Sequence, residues 1–297
     1  MTLRFRRLAV IGVGLIGGSL ARALRAAGLV GEVVGCGRGE ANLRKAVELG
    51  VIDRYTHEVG AVVEGADLVF LAVPLGAMAD AFAAMKGHLS RDAVITDGGS
   101  AKGSVVRDYR SVFGSLPGFV PGHPIAGNEC NGVEASFAAL YENRRVILTP
   151  LEETDAAATA KVEALWQACG AEVSLMSVEH HDEVLAATSH LPHMLAFGLV
   201  DVLSRMKAND EIFRYAAGGF RDFTRIASSD PVMWRDITMA NREALLAAID
   251  DFDRHLGQLR QMIESADSDA LEQTFSRAKR ARDEFAAILA QRQRTGS

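Results

Sequence analysis

Residues 122–129 read GHPIAGNE, which sets His123 between a glycine and a proline, outside any periodic apolar pattern. An imidazole with an ordinary pKa of about 6.5 exchanges protons at neutral pH, so a histidine pinned in a short loop is a candidate acid or base. LAVIGVGLIGGSLA places Gly12, Gly14 and Gly17 in the spacing GxGxxG between an apolar run and a helical pattern. There the first glycine permits a tight turn, the second lets a pyrophosphate approach the backbone, and the third lets helix and strand pack closely. ATSHLPHMLA sets His190 and His193 three residues apart, and GGFRDFTRIASSDPVMWRDI gathers Arg221, Arg225 and Arg235 around Trp234. Such an arginine cluster beside a cofactor cleft suggests a carboxylate clamp, because guanidinium pairs with carboxylate through two parallel hydrogen bonds. The two histidines, with His180 or His181, could also bind zinc, but no HExxH and no nearby cysteine supports a metal site.

The glycine turn predicts dinucleotide binding through Gly12, Gly14, Leu15, Ile16 and Gly17, with the phosphates on the helix N-terminus. An acid about 20 residues beyond the last glycine usually holds the ribose 2′-hydroxyl of NAD. Gly37 and Arg38 stand there instead. An arginine suits a 2′-phosphate, so the pattern leans towards NADP. The alternative is NAD, bound through Glu40 or backbone groups, with Arg38 solvated or stacked on adenine. AVPLGAM brings Val73 and Pro74, and TDGGSAKGSV brings Ser100, to strand ends on the same rim. Ser100 either caps the helix beginning at Ala101 or lines the cleft, or does both. His123 is expected on that rim, facing the nicotinamide end.

The elements that must position these groups alternate in the first half. Apolar runs at 6–12, 32–36, 67–73, 93–97, 119–122, 145–149 and 171–176 read as buried strands. Helical patterns lie between them at 15–28, 40–49, 76–87, 101–113 and 155–169, which predicts an α/β Rossmann-type domain with a parallel sheet over 1–176. From 177 to 297 the strands stop, and long helices are expected at 178–206, 231–264 and 268–291, with Asp230-Pro231 as a helix start. This second, all-α domain is expected to bind substrate and to dimerise, since one of its helices exceeds the usual globular length. The 297 residues are 48% hydrophobic and 24% charged, with net charge -6, a soluble composition without the basic surplus of nucleic-acid binders. Basic residues before an apolar run resemble a secretion signal at the start, but the run is a glycine fingerprint and no cleavage site follows. With scattered Cys36, Cys130 and Cys169, and no stretch of the roughly 20 apolar residues that span a bilayer, a cytoplasmic protein is expected.

GxGLIGGS at 12–19, DGGSAKG at 97–103, GHPIAGNE at 122–129, SHLPH at 189–193 and GFRDFTRIASSDPVMWRDI at 219–237 occur in that order. Together they resemble the prephenate/arogenate dehydrogenase family of tyrosine biosynthesis. The resemblance implies oxidative decarboxylation of prephenate, arogenate or both, with hydride passing to NADP or NAD in a homodimer. It implies that His123 accepts the proton of the substrate's ring hydroxyl and that Ser100 hydrogen-bonds the same hydroxyl. Arg225 then binds a substrate carboxylate, and His190 and His193 line the site. Glu129, Arg221 and Trp234 match positions associated with its wall or gating.

Overall fold

β1 (Phe5–Ile11) shows why the sheet is buried on both faces. Its Leu8 and Val10 enter one apolar cluster, while Ala9 and Ile11 enter the other. Side chains alternate along a strand, so a run with no polar face must be covered twice. The computed structural model describes residues 3–115, 117–127, 130–206 and 209–295. After β1 come α1 (Leu15–Ala26), β2 (Val30–Cys36), α2 (Glu40–Glu48), β3 (Arg54–Thr56) and α3 (Val59–Val63). β4 (Leu68–Leu71), α4 (Met78–Met85), β5 (Val94–Asp97), α5 (Lys102–Phe113) and β6 (Phe119–Val120) follow. The strands run parallel in the order β3-β2-β1-β4-β5-β6. The order reverses between β1 and β4, and the crevice at their carboxyl ends is where such sheets bind ligands. β3 and α3 are too short to show in the apolar pattern.

The sheet does not continue through the later runs, as the sequence suggested it would. β6 stops at Pro121, which has no N–H to extend a ladder. β7 (Gly122–Pro124) instead pairs antiparallel with β8 (Arg145–Leu148), and β8 pairs parallel with β9 (Glu172–Leu175), as a separate three-stranded sheet. His123 therefore sits in a short strand opposite Ile147 rather than in a loop. α6 (Ala156–Ala168) begins where the Asp155 side chain accepts from the Ala157 N–H, and its Trp166 packs edge-on against Phe70 and Tyr141.

The helices expected at 178–206 and 231–264 are both interrupted. α7 (Val178–Leu185) passes through a π turn, Ala186–His190, into α8 (Leu191–Ser204). Pro192 has no N–H for the carbonyl four residues back, and the widened turn accommodates that loss. α9 (Asn209–Arg214), α10 (Gly218–Thr224) and a 3₁₀ turn at Arg225–Ser228 precede α11 (Pro231–Ala240). α11 starts as anticipated, with the Asp230 carboxylate accepting from the Met233 N–H. It ends at Asn241, before α12 (Arg242–Glu264) and α13 (Ser268–Thr295). The chain forms two compact units, one through Leu245 and one from Leu246. In the second, Phe252, Leu256, Ile263, Phe275 and Phe285 stand exposed. Among the described residues no helix is long and apolar enough to cross a membrane.

Candidate active site

The glycine turn behaves as its spacing demands. Gly12 has φ +97°, and a Cβ there would lie 2.3 Å from the Ala72 carbonyl oxygen. A Cβ on Gly17 would lie 2.2 Å from the Gly12 carbonyl, whereas one on Gly14 would meet nothing within 4 Å. The space beside Gly14 is thus open at the N-terminus of α1, whose cap has no side-chain hydrogen bond. Uncapped N–H groups beside an open cradle fit a pyrophosphate. Leu15 is buried and Ile16 half-buried at the helix start, where the Tyr141 hydroxyl donates to the Ile16 carbonyl at 2.6 Å. On the same rim Val73 is half-buried and Pro74 exposed, and Asp236 of α11 lies against Gly76 just beyond them.

At the end of β2, Gly37 accepts from His57 Nδ1 at 2.7 Å, and Arg38 is exposed. His57 Nε2 donates to Glu40 at 2.8 Å, so both ring nitrogens face groups that only accept. The Gly37 carbonyl and then the Glu40 carboxylate accordingly raise the His57 pKa.

Ser100 is half-buried and makes no hydrogen bond among the described residues. It does not cap α5. The capping residue is Ala101, and the Lys102 and Gly103 N–H groups donate instead to the Asp182 carboxylate, each at 2.8 Å. Asp97 and Lys102 form a fully buried ion pair that clamps the residue before His123. The Gly122 N–H donates to Asp97 Oδ1 at 3.0 Å, and Lys102 Nζ donates to the Gly122 carbonyl at 2.6 Å.

The His123 ring is buried, with Nδ1 2.9 Å from His181 Nε2; His181 Nδ1 lies 2.8 Å from Asp182 Oδ1. Burial pushes the His123 pKa well below 6.5, and His181, Lys102 and His190 push the same way. Burial also lowers His181, against the pull of Asp182. Burial would raise Asp182, but hydrogen bonds from His181, Lys102 and Gly103 outweigh it and lower its pKa.

Asn241 ties this chain to the other histidines. Its Nδ2 donates to the Asp182 carbonyl at 2.8 Å and lies 3.0 Å from His190 Nδ1. His190 is buried, and that burial lowers its pKa to about 4. His193 donates from Nδ1 to the Ser189 carbonyl at 2.9 Å, and its ring stacks on Trp234 with centroids 3.6 Å apart. The His193 pKa is lowered by burial, with a further push from the charge of Arg225. Trp234 is buried, its Nε1 without a partner among the described residues, and meets His190 edge-on. His123, His190, His193, Trp234 and Arg225 are thus brought together. Arg221 is not among them: it is exposed and pairs with Asp222. Glu129 lies outside the described residues. No three histidine, cysteine or acidic side chains gather as a metal site among the described residues.

Sequence reasoning missed His181, Asp182 and Asn241. The run HHD at 180–182 is the visible signal for the first two; its histidines enter the sequence reading only as zinc ligands that nothing else supports, and Asn241 leaves no signal.

A doubly wound sheet with an open phosphate cradle, and a buried imidazole at its carboxyl edge, defines the class of dinucleotide-dependent dehydrogenases. Two family models narrow the class. "Prephenate dehydrogenase, nucleotide-binding domain" matches residues 20–175, and "Prephenate dehydrogenase, dimerization domain" matches residues 177–277. The chain belongs to the prephenate dehydrogenase family. It is 43% identical to cyclohexadienyl dehydrogenase of Zymomonas mobilis, over 94% of this chain and 95% of that one. Among solved structures it resembles prephenate dehydrogenase of A. aeolicus in complex with hydroxyphenyl propionate and NAD+, at 39% identity and TM-score 0.90, covering 96% of this chain and 100% of that one. It also resembles Synechocystis arogenate dehydrogenase, at 28% identity and TM-score 0.81, covering 94% and 99%.

Proposed function

We propose that this protein oxidatively decarboxylates prephenate, arogenate or both, giving 4-hydroxyphenylpyruvate or tyrosine with reduction of a nicotinamide dinucleotide. The observation that carries the proposal is His123: a buried, neutral imidazole whose Nδ1 is already engaged, leaving Nε2 to take a proton at the dinucleotide rim. When bound, the dinucleotide supplies the hydride acceptor. Gly12, Gly14, Leu15, Ile16 and Gly17 hold its pyrophosphate, with Val73 and Pro74 on the nicotinamide side.

The substrate is a cyclohexadienol with a ring carboxylate and a three-carbon acid side chain. As hydride leaves the carbinol carbon, the hydroxyl proton passes to His123 Nε2, and Ser100 holds the oxygen in line. The bond to the ring carboxylate then breaks, carbon dioxide leaves, and its electron pair completes the aromatic ring. Aromatisation drives the reaction, so the protein's task is to bind, orient and move one proton. Arg225 binds a substrate carboxylate beside His190 and His193, while Trp234 forms the wall on which His193 lies. For Arg221 and Glu129 the family resemblance implies a part in the wall of the site or its gating.

NADP is the preferred dinucleotide, because Arg38 is exposed and without a hydrogen bond or ion pair among the described residues, while Glu40 is already occupied. NAD is the second reading, favoured by the NAD+ complex of the Aquifex relative. The functional division falls at 176/177, with the cofactor and the reacting hydroxyl held before it and the substrate carboxylate and partner subunit after it. The protein acts as a homodimer. A cytoplasmic location suits three cysteines that form no disulfide.

Initial rates with prephenate and arogenate, each crossed with NAD and NADP, test the proposal through the absorbance of reduced nicotinamide. His123→Asn should lower kcat about 10²–10⁴-fold with little change in KM. Arg225→Ala should mainly raise KM. Absence of dinucleotide reduction with either substrate would reject the activity.

A further inference from the structure

His123 has two ring nitrogens, and a base must present the one that lacks hydrogen. Three elements decide which that is. The Asp182 carboxylate accepts from the first two N–H groups of α5, and its pKa is held down, so it faces His181 as an acceptor only. His181 Nδ1, 2.8 Å away, must therefore carry hydrogen. Burial keeps His181 neutral, and a neutral imidazole has a single N–H. Its Nε2 is then a bare acceptor, 2.9 Å from His123 Nδ1. That contact is a hydrogen bond only if His123 Nδ1 is the donor.

We propose that His181 and Asp182 are positioning residues for His123: the chain Asp182–His181–His123 fixes hydrogen on His123 Nδ1 and leaves Nε2 bare towards the substrate hydroxyl. The proposal rests on the dehydrogenase reading above and deepens it. The same chain answers the problem of forming an imidazolium in a buried place. Once Nε2 takes the hydroxyl proton, the new charge lies two hydrogen bonds from a carboxylate. The charges of Lys102 and His190 also act on the ring, and neither supplies negative charge. Asp97, the remaining buried acid, is matched by Lys102.

The backbone of the base is secured separately. Asp97 and Lys102 hold both the N–H and the carbonyl of Gly122, so loss of the His181 ring leaves the strand in place and changes only what His123 Nδ1 can meet. That separation makes the role testable. His181→Leu removes the acceptor. His181→Gln can present an amide oxygen close to the position of Nε2.

The full-length protein is labelled with ¹⁵N-histidine, and the ring nitrogens are read by NMR in wild type and both variants, beside steady-state kinetics. Wild type should show His123 with a protonated Nδ1 and a bare Nε2. His181→Leu should lose that preference and lower kcat about 100-fold with KM within about 3-fold, the signature of a wrong tautomer rather than lost binding. His181→Gln should restore the tautomer and bring kcat to within about 10-fold of wild type. Wild-type His123 found protonated on Nε2 would overturn the proposal, even if His181→Leu fails to fold. So would His181→Leu retaining the wild-type rate and tautomer. Because the tautomer is read without substrate, inactivity of the wild type towards prephenate and arogenate would reject the function and leave this result standing.

Discussion

Arg38 and Glu40 stand two residues apart beyond β2, yet they keep different company. Glu40 accepts from Arg44 Nε at 2.7 Å, from the Tyr55 hydroxyl at 2.7 Å and from His57 at 2.8 Å. Those bonds, Arg44 first, hold its carboxyl at about 2. A carboxylate so occupied has little left for a ribose hydroxyl. Arg38 makes no such bonds among the described residues, so its guanidinium can pair with a 2′-phosphate through charge-assisted hydrogen bonds. Arg38→Ala should therefore raise KM for NADP about tenfold, the equivalent of one good charge-assisted pair, while KM for NAD stays within about twofold. Equal changes for both dinucleotides would place Arg38 on the shared part of the cofactor.

At the scale of elements, the glycine turn separates what the fold needs from what the ligand needs. Gly17 lies where α1 crosses β1, and a Cβ there collides with backbone at 2.2 Å. Gly14 has extended backbone, φ -108° and ψ -153°, and open space around it. Gly14→Val should keep the melting temperature within about 2 °C of wild type, since nothing packed is disturbed, yet raise the dinucleotide KM tenfold or more by filling the cradle. Gly17→Ala should lower the melting temperature by several degrees, an overpacking cost of about 1–3 kcal/mol. Thermal melts and cofactor titrations of the two variants check this, and a Gly14→Val enzyme with unchanged cofactor KM would move the pyrophosphate elsewhere. This turn was legible in the sequence because its chemistry is local: three glycines, one strand before and one helix after. The Asp230 cap of α11 and the doubly covered β1 were legible for the same reason. The second sheet was not, because its pairing depends on Pro121 turning the chain aside, and a three-residue strand such as β7 has no period to read. Nor was the His181–Asp182 chain. His123 meets His181 across 58 residues of sequence, and Asp182 reaches back to α5 across 80, so no window contains the interaction. Of the two roles open to Ser100, the cap fits by residue type, but the distant Asp182 carboxylate takes that place.

Across the whole molecule, the buried and half-buried histidines tie stability to pH. His123, His181, His190 and His193 all have pKa values lowered chiefly by burial, His190 to about 4. Between the ordinary value of about 6.5 and these lowered values, the unfolded chain binds protons that the folded chain refuses, so stability falls as pH falls through that window. For His190 alone the difference is on the order of 3 kcal/mol, complete only below pH of about 4. Asp182, whose pKa is lowered, loses its contribution in a lower window, beneath the ordinary carboxylate value. His57 runs the other way, since its raised pKa adds stability that fades as pH rises, but it is an exposed surface group. The acid side should therefore soften first through the active-site histidines. The melting temperature, followed by circular dichroism, should drop by roughly 5–10 °C between pH 7 and pH 5, before most carboxylates titrate. Protomer concentration must be held constant, because the family's C-terminal region is a dimerization domain and dimer stability depends on it. His190→Gln, which cannot titrate, should flatten the slope, and a melting temperature equal at pH 7 and pH 5 in the unaltered protein would mean that these imidazoles are not buried neutral.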